Sequence, residues 1–125
     1  RVFGDLVINH VLPAAKRYQK MLLEKVANVK MVFEAEEAKA LNEQDCLLIR
    51  RIEAHASAII AGVDKMTQLR VTANHIDNQR ERALAFHDTV VPIMEEIRKH
   101  VDELEMWVDD QLWTLPKYRE LLFIR

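Results

Sequence analysis

The stretch VTANHIDNQRERALAF, residues 71–86, decides the fold because it joins two long helical patterns through a short turn. Asn78 followed three residues later by Glu81 forms a capping box, which is typical of a helix start. The residues around Asp77 are Asn, His and Asp, types that favour turns. The sequence therefore predicts one helix that ends near residue 74 and another that begins near residue 79.

Apolar residues on both sides of this turn recur at steps of three and four, as on helices that face a core. Residues at matching distances from the turn are both apolar: the pairs are Ala73 with Ala83, Leu69 with Phe86, Met66 with Val90, Ile59 with Ile97 and Ile52 with Leu104. The same spacing pairs Gly62 with Ile93 and His55 with His100. We therefore predict an antiparallel helical hairpin whose core layers match.

A first helix precedes this hairpin. Its apolar seam contains one polar residue, Gln19, and otherwise consists of Ile8, Leu12, Ala15, Leu22, Val26, Val29 and Phe33. Pro13 either lies in a first turn or bends the helix, and Pro92 interrupts the third helix in the same way. Because the seam keeps its phase through the proline, we expect a kinked helix over about residues 5–32.

The second helix is predicted over about residues 42–74, after a polar connection at 34–40, because Asn42 and Asp45 resemble a capping box. The third is predicted over about 79–110. The hairpin leaves apolar side chains off its seam, which the first helix can cover: Leu47, Ile49, Ile60 and Val63.

Residues 116–122 are predicted to form a short helix that begins at Pro116. The fold class is therefore all-α: one domain over residues 1–125, an elongated three-helix antiparallel bundle with a short C-terminal helix or tail. This tail must dock, along its own bundle or on a partner, because of its large apolar side chains. The predicted interface residues are Trp113, Leu115, Tyr118, Leu121 and Phe123.

Composition agrees with a helical fold and excludes several functions. The 2 Gly and 3 Pro are too few for the turns of a sandwich, barrel or open sheet, and they cannot form a phosphate-binding glycine loop. Cys46 is the single cysteine, which excludes an internal disulfide and multi-cysteine zinc sites. A net charge of -2 and the lack of a long apolar run predict no nucleic-acid partner and no membrane span.

The single cysteine and the lack of a membrane span indicate a cytoplasmic protein. The chain also begins without a methionine, so we expect it to be a piece of a longer protein.

The His55 and His100 layer is the main candidate for chemistry. Two imidazoles at one level of a bundle could bind a metal ion or respond to pH. Di-iron bundles, however, use Glu-x-x-His, and no histidine here has a glutamate three residues before it. We therefore favour hydrogen-bonded polar spacers over a metal site.

Other candidates are weaker. His87 beside Asp88, and His75 near Asp77, each pair a base with a carboxylate but lack an assignable nucleophile. Cys46 lies near the predicted start of the second helix, where a thiol pKa can fall, yet a small buried residue is the favoured interpretation. The residues alone predict no active site.

Several stretches resemble the C-terminal helical region of type III glutamine synthetases. They are GDLVINHVLPAA at 4–15 followed by Tyr18-Gln19, Ala73-Asn74-His75, DELE at 102–105, and VDDQLW running into LPKYRELLF across 108–123. The last stretch is the most specific because it holds a Trp, a Pro and a Tyr at fixed offsets. The resemblance covers essentially the whole chain.

The resemblance implies a parent enzyme that joins glutamate and ammonia with ATP and Mg or Mn, in a large double-ringed oligomer. The catalytic, nucleotide and metal sites would belong to a β-rich body preceding this segment, so no catalytic, cofactor or metal residue is carried over. We expect a non-catalytic structural and assembly domain whose partners are the rest of its catalytic subunit and neighbouring subunits of a homo-oligomer. The alternative is an independent helical binding or metal-sensing module that uses His55 and His100.

Overall fold

A computed structural model describes residues 2–108, which form three helices. Helix α1 comprises Val2–Leu6, the π-helical Val7–Val11 and Leu12–Val32; α2 is Ala35–Asn74; α3 comprises Gln79–Ala85, the π-helical Phe86–Val90 and Val91–Trp107. The predicted all-α antiparallel three-helix bundle is confirmed for this part of the chain. The predicted helix at 116–122 lies outside the described residues, and so do the predicted interface residues Trp113, Leu115, Tyr118, Leu121 and Phe123.

The second helix begins earlier than the sequence predicted. It starts at Ala35 rather than near residue 42, so the expected connection at 34–40 is helical apart from its first residue. Three alanines between residues 35 and 40 favour a helix, and Glu36 and Glu37 lie in its first turn, where negative charge suits the helix dipole. The capping role predicted for Asn42 is wrong, because Asn42 is buried within the helix.

The third helix ends at Trp107, before the predicted boundary near residue 110. Val108 has an extended backbone, with ψ of 137°. Asp109 and Asp110 follow directly. Negative charge is unfavourable at a helix C-terminus, which explains why the helix stops before the two aspartates.

Both prolines are accommodated by π-helical turns. A proline in a helix lacks an N–H donor and crowds the carbonyl four residues earlier. That carbonyl belongs to Asn9 for Pro13 and to Asp88 for Pro92, and each lies within a π-helical segment. The wider turn makes room for the proline ring, so each helix continues through its proline. Val7, Val11 and Val90 in the π-helical segments remain buried in the core.

Helix α2 is the central element because it packs against both other helices. α1 runs antiparallel to it, from Gly4 beside Met66 to Val26, whose carbonyl accepts a hydrogen bond from Asn42. α3 also runs antiparallel to α2 and covers its second half. Between them lies one buried cluster that includes Val7, Val11, Ala15, Ile52, Ala56, Ile59, Val90, Ile97, Val101 and Leu104.

The first helix covers only half of the apolar side chains assigned to it. Ile49 and Val63 pack against the core, as predicted. Leu47 and Ile60 remain exposed, so the prediction is wrong for these two.

The turn between α2 and α3 has the predicted cap. Asn78 Oδ1 accepts a hydrogen bond from the Glu81 backbone N–H at 3.0 Å. On the other side, the backbone N–H groups of His75 and Ile76 donate to the carbonyls of Thr72 and Ala73. These bonds satisfy part of the unpaired backbone groups at both helix ends.

α2 and α3 approach each other closely at Gly62. A Cβ atom added there would lie 2.9 Å from Ile97 Cγ1, so the residue packed beside Gly62 is Ile97, not the predicted Ile93.

Replacing glycine by alanine in a helix stabilises the folded chain by about 1 kcal/mol, whereas overpacking a core costs about 1–3 kcal/mol. We expect Gly62→Ala to destabilise the chain by about 1 kcal/mol, measured by urea unfolding.

Gly4→Ala is the matched control. Its added Cβ would meet the flexible end of Met66 at an ordinary 3.5 Å, so this variant keeps the helical gain without crowding. A Gly62→Ala variant as stable as Gly4→Ala would contradict the close approach.

Candidate functional site

The structure brings His55 and His100 together, as predicted. His55 lies on α2 and His100 on α3, with their Nδ1 atoms 2.9 Å apart and their ring centroids 5.1 Å apart. Both side chains are half-buried. The two rings form one polar layer within an otherwise apolar seam.

The short Nδ1–Nδ1 distance dictates how protons are distributed in this layer. A neutral imidazole carries one N–H donor and one acceptor nitrogen, whereas a protonated one carries two donors. One ring must therefore donate from Nδ1 while the other accepts. Protonating both rings would place donors face to face and break the hydrogen bond.

The surroundings of His55 disfavour its charged form. Burial lowers the pKa of His55 below its usual 6.5, and the nearby His100 and Arg51 lower it further. The Glu103 carboxylate opposes this shift. The fold therefore favours the neutral form of the His55 side chain.

This lowered pKa makes stability depend on pH. The unfolded chain takes up a proton at His55 more readily than the folded chain, so this contribution is present above pH 6.5 and is lost as the pH falls toward the folded pKa. We expect the drop in melting temperature between about pH 7.5 and pH 5 to be smaller in His55→Gln than in the parent chain.

His75→Gln serves as the control because His75 is exposed at the interhelical turn. It should show the same drop as the parent chain. An equal drop in His55→Gln would show that His55 does not carry the effect.

The same geometry argues against a metal ion between the two histidines. Their Nδ1 atoms bind each other, and a zinc-like ion needs three or four ligands. In the described part of the chain, no three His, Cys, Asp or Glu side chains come together as a metal site would require. No observation on residues 2–108 favours a metal-sensing module.

A second polar cluster joins α1 to α2 and was not predicted. Gln19 is buried in the α1 seam, and its Nε2 donates to the Ile49 carbonyl at 3.3 Å and to Glu53 Oε1 at 3.0 Å. Lys16 Nζ lies 2.8 Å from the same carboxylate oxygen, and Ser57 donates to the other oxygen. The signal in the sequence was Gln19 itself, the one polar residue in an apolar seam.

This cluster has a structural character. The hydrogen bond from Lys16 lowers the pKa of Glu53 to about 2, helped by the bond from Gln19. Because both charged side chains are about half exposed, solvent screens the pair and its contribution to stability is small. The cluster therefore fixes the alignment of α1 along α2 and does not activate a side chain for catalysis.

A cavity of about 980 Å³ opens where the end of α1 meets the first half of α2. Its wall includes Cys46, which is half-buried, and Asn42, whose Oδ1 accepts no hydrogen bond from any described residue. Charges of both signs surround it: Lys30, Lys39, Arg50, Glu36 and Glu43. Because α2 begins at Ala35, Cys46 lies three turns inside the helix, beyond the reach of the N-terminal effect considered for its thiol.

The remaining candidate pairs are exposed and isolated. His87 Nδ1 lies 3.4 Å from Asp88 Oδ1 on the surface of α3. His75 and Asp77 occupy the interhelical turn, as turn residues do. Within the described chain, no hydrogen bond or ion pair joins either pair to a nucleophilic side chain.

An aromatic contact near the end of α3 was also missed by the sequence analysis. The Arg51 guanidinium carbon lies 5.3 Å from the centroid of the Trp107 ring, a cation–π distance. Trp107 follows His100 by seven residues, so both lie on the same face of α3. The spacing could therefore have predicted that Trp107 faces α2.

Exposed apolar side chains cluster at the turn between α1 and α2. Met31 and Val32 are 82% and 74% exposed, and Phe33 and Leu41 add to the same end of the bundle. Within residues 2–108, no helix combines the length and apolarity that crossing a membrane requires. This surface suits contact with another protein surface.

Comparison with known proteins identifies the relatives of this chain. It is 47% identical over all 125 residues to a glutamine synthetase of Bacteroides fragilis (strain YCH46), and it covers 17% of that protein. It is 28% identical over 121 residues to a type-3 glutamine synthetase of Dictyostelium discoideum, covering 16% of it. No family model matches the chain. The chain spans about a sixth of the length of these relatives, and the resemblance to type III glutamine synthetases is confirmed.

Proposed function

We propose that this segment is a non-catalytic structural and assembly domain of a type III glutamine synthetase. It is similar along its whole length to part of a glutamine synthetase, and over 121 residues to part of a type-3 glutamine synthetase. Its partners are the rest of its own catalytic subunit and neighbouring subunits of a homo-oligomer, in the cytoplasm. The observation that carries the proposal is the exposed apolar end of the bundle, because a chain of this kind gains stability by covering such a surface.

In this proposal the whole protein makes glutamine from glutamate and ammonia with ATP hydrolysis. The ATP and the Mg or Mn that this reaction needs would bind outside the segment. The described residues do not fit a metal ion, since no three candidate ligands converge. This part of the chain would act by holding subunits in position.

A rigid helical arm suits that role. At 1.5 Å per residue, the α2 helix of 40 residues is about 60 Å long. Its two ends lie far apart, so contacts made at one end can be placed well away from the other. The Gln19 cluster resists slippage of α1 along α2, and the His55–His100 layer resists slippage of α3 along α2.

The proposed anchors to neighbouring subunits are the large apolar residues beyond α3, because buried aromatic and aliphatic side chains dominate the energetics of interfaces. They are Trp113, Leu115, Tyr118, Leu121 and Phe123.

A double substitution in the full-length enzyme tests this proposal. Trp113→Ala with Phe123→Ala removes two aromatic anchors, and hot-spot residues of this kind contribute about 2 kcal/mol or more each. We expect a smaller mass by light scattering at low micromolar concentration, with the helical circular dichroism signal unchanged.

The matched control is Lys117→Ala with Glu120→Ala, which removes polar side chains from the same stretch. This control should keep the parent mass. The assembly role is wrong if the aromatic double variant also keeps it.

A further inference from the structure

The outer face of α1 carries an exposed stripe of apolar and polar residues. Its members follow one another at steps of four and three, so they share one side of the helix: Arg17, Met21, Glu24, Asn28 and Met31. All of them are exposed, Met21 by 51% and Met31 by 82%. The buried residues of α1, such as Leu22 and Val26, lie on the opposite side of the helix. We call this set of exposed residues the outer stripe.

A groove of about 490 Å³ runs beside the outer stripe. Met21 and Val32 contribute apolar atoms to its wall, and Glu24 and Asn28 contribute polar ones. Methionine adapts well to an irregular apolar surface of this kind, because its side chain is unbranched and flexible. The groove therefore suits the exposed Met31 side chain of a second copy of the chain.

The order of residue types along the outer stripe is self-complementary. When two α1 helices pack antiparallel about a point midway between Glu24 and Asn28, Met21 of each copy lies opposite Met31 of the other. Glu24 then lies opposite Asn28, whose amide can donate a hydrogen bond to the carboxylate. A two-fold axis makes each of these contacts occur twice, as in a dimer of identical chains.

The charges beyond the two methionines are opposite in sign. Arg17 and Lys20 lie on the N-terminal side of Met21, and three exposed glutamates follow Met31 at the α1–α2 turn: Glu34, Glu36 and Glu37. In residues 2–108, no salt bridge uses Lys20 or any of these glutamates. Antiparallel pairing places the basic end of each copy on the acidic end of the other, whereas parallel pairing would bring like charges together.

We propose that the outer stripe of α1 is a contact between two copies of this chain, which pack antiparallel about a two-fold axis. The inference deepens the proposed assembly function and rests on it, since the partner is a neighbouring subunit of the homo-oligomer. A helix face about 25 Å long and about 10 Å wide is smaller than the roughly 800 Å² per partner of a standard interface. The outer stripe therefore adds to other contacts between subunits and does not hold them together alone.

Disulfide cross-linking of the full chain tests this contact, because a covalent bond captures a small interface. In a Cys46→Ser background, Met21→Cys is combined with Met31→Cys, and the chain is oxidised in air with a copper catalyst. The two cysteines of one copy lie about 15 Å apart along α1, too far to bond each other, since a disulfide needs Cα atoms within about 7 Å. We expect a cross-linked dimer that forms severalfold faster than with either single cysteine.

The matched control combines Leu23→Cys with Met31→Cys. Leu23 is 51% exposed, as Met21 is, but it lies on the flank of α1 outside the outer stripe. This control should cross-link no faster than the single-cysteine chains. The proposal is overturned if the Met21→Cys and Met31→Cys chain cross-links only at the rate of this control.

A charge reversal checks the direction of pairing. Lys20→Glu should slow the cross-linking of the Met21→Cys and Met31→Cys chain severalfold, because it places negative charges on both sides of each end of the contact. Glu34→Lys with Glu36→Lys should then restore the rate, with helicity monitored by circular dichroism. No effect of Lys20→Glu, or an effect that the two lysines leave unchanged, would contradict antiparallel pairing.

Light scattering of the full-length enzyme separates the failure of this inference from the failure of the assembly function. If the enzyme is an oligomer and the double-cysteine chain does not cross-link, the outer stripe alone is overturned. If the full-length enzyme is a monomer, both proposals are wrong.

Discussion

The apolar seam of α2 is shared by two helices, and the rest of the structure depends on this sharing. α1 reaches Met66 at one end and α3 reaches Arg51 at the other, so both helices flank α2 between these residues. Buried side chains from all three helices meet there in one cluster. Outside this overlap α2 has one helical neighbour in the described chain, which explains why apolar side chains remain exposed toward both ends of the bundle.

Polar layers define how the helices align within this seam. Seven-residue spacing alone would tolerate a slip of one repeat, because most layers are apolar on both sides. A slip would separate His55 from His100 and would take the Gln19 amide away from Glu53. Each broken contact would leave polar groups without hydrogen-bond partners, which costs free energy in a partly buried site. We therefore assign these contacts to alignment rather than to chemistry.

The fold and the histidine pair could be predicted because they follow from periodicity around one clear turn. The capping box at Asn78 marked that turn, and pairing outward from it placed His55 opposite His100. The start of α2 could not be predicted from periodicity, since the alanines and glutamates near residue 35 favour a helix by propensity but carry no repeat of large apolar side chains. The Gln19 and Glu53 contact required knowing how α1 lies on α2, which no local pattern specifies.

The measurement that tests the shared seam most directly is hydrogen exchange in an Ile97→Val variant of the full chain. Ile97 belongs to α3, but its cluster includes Val7 and Val11 of α1. Removing one methylene costs about 1 kcal/mol, a loss small enough to leave the chain folded. The shared seam predicts faster exchange in α1 residues 7–15 as well as in α3, with less change in residues 20–32. Faster exchange confined to α2 and α3 would show that α1 packs independently and would contradict the account.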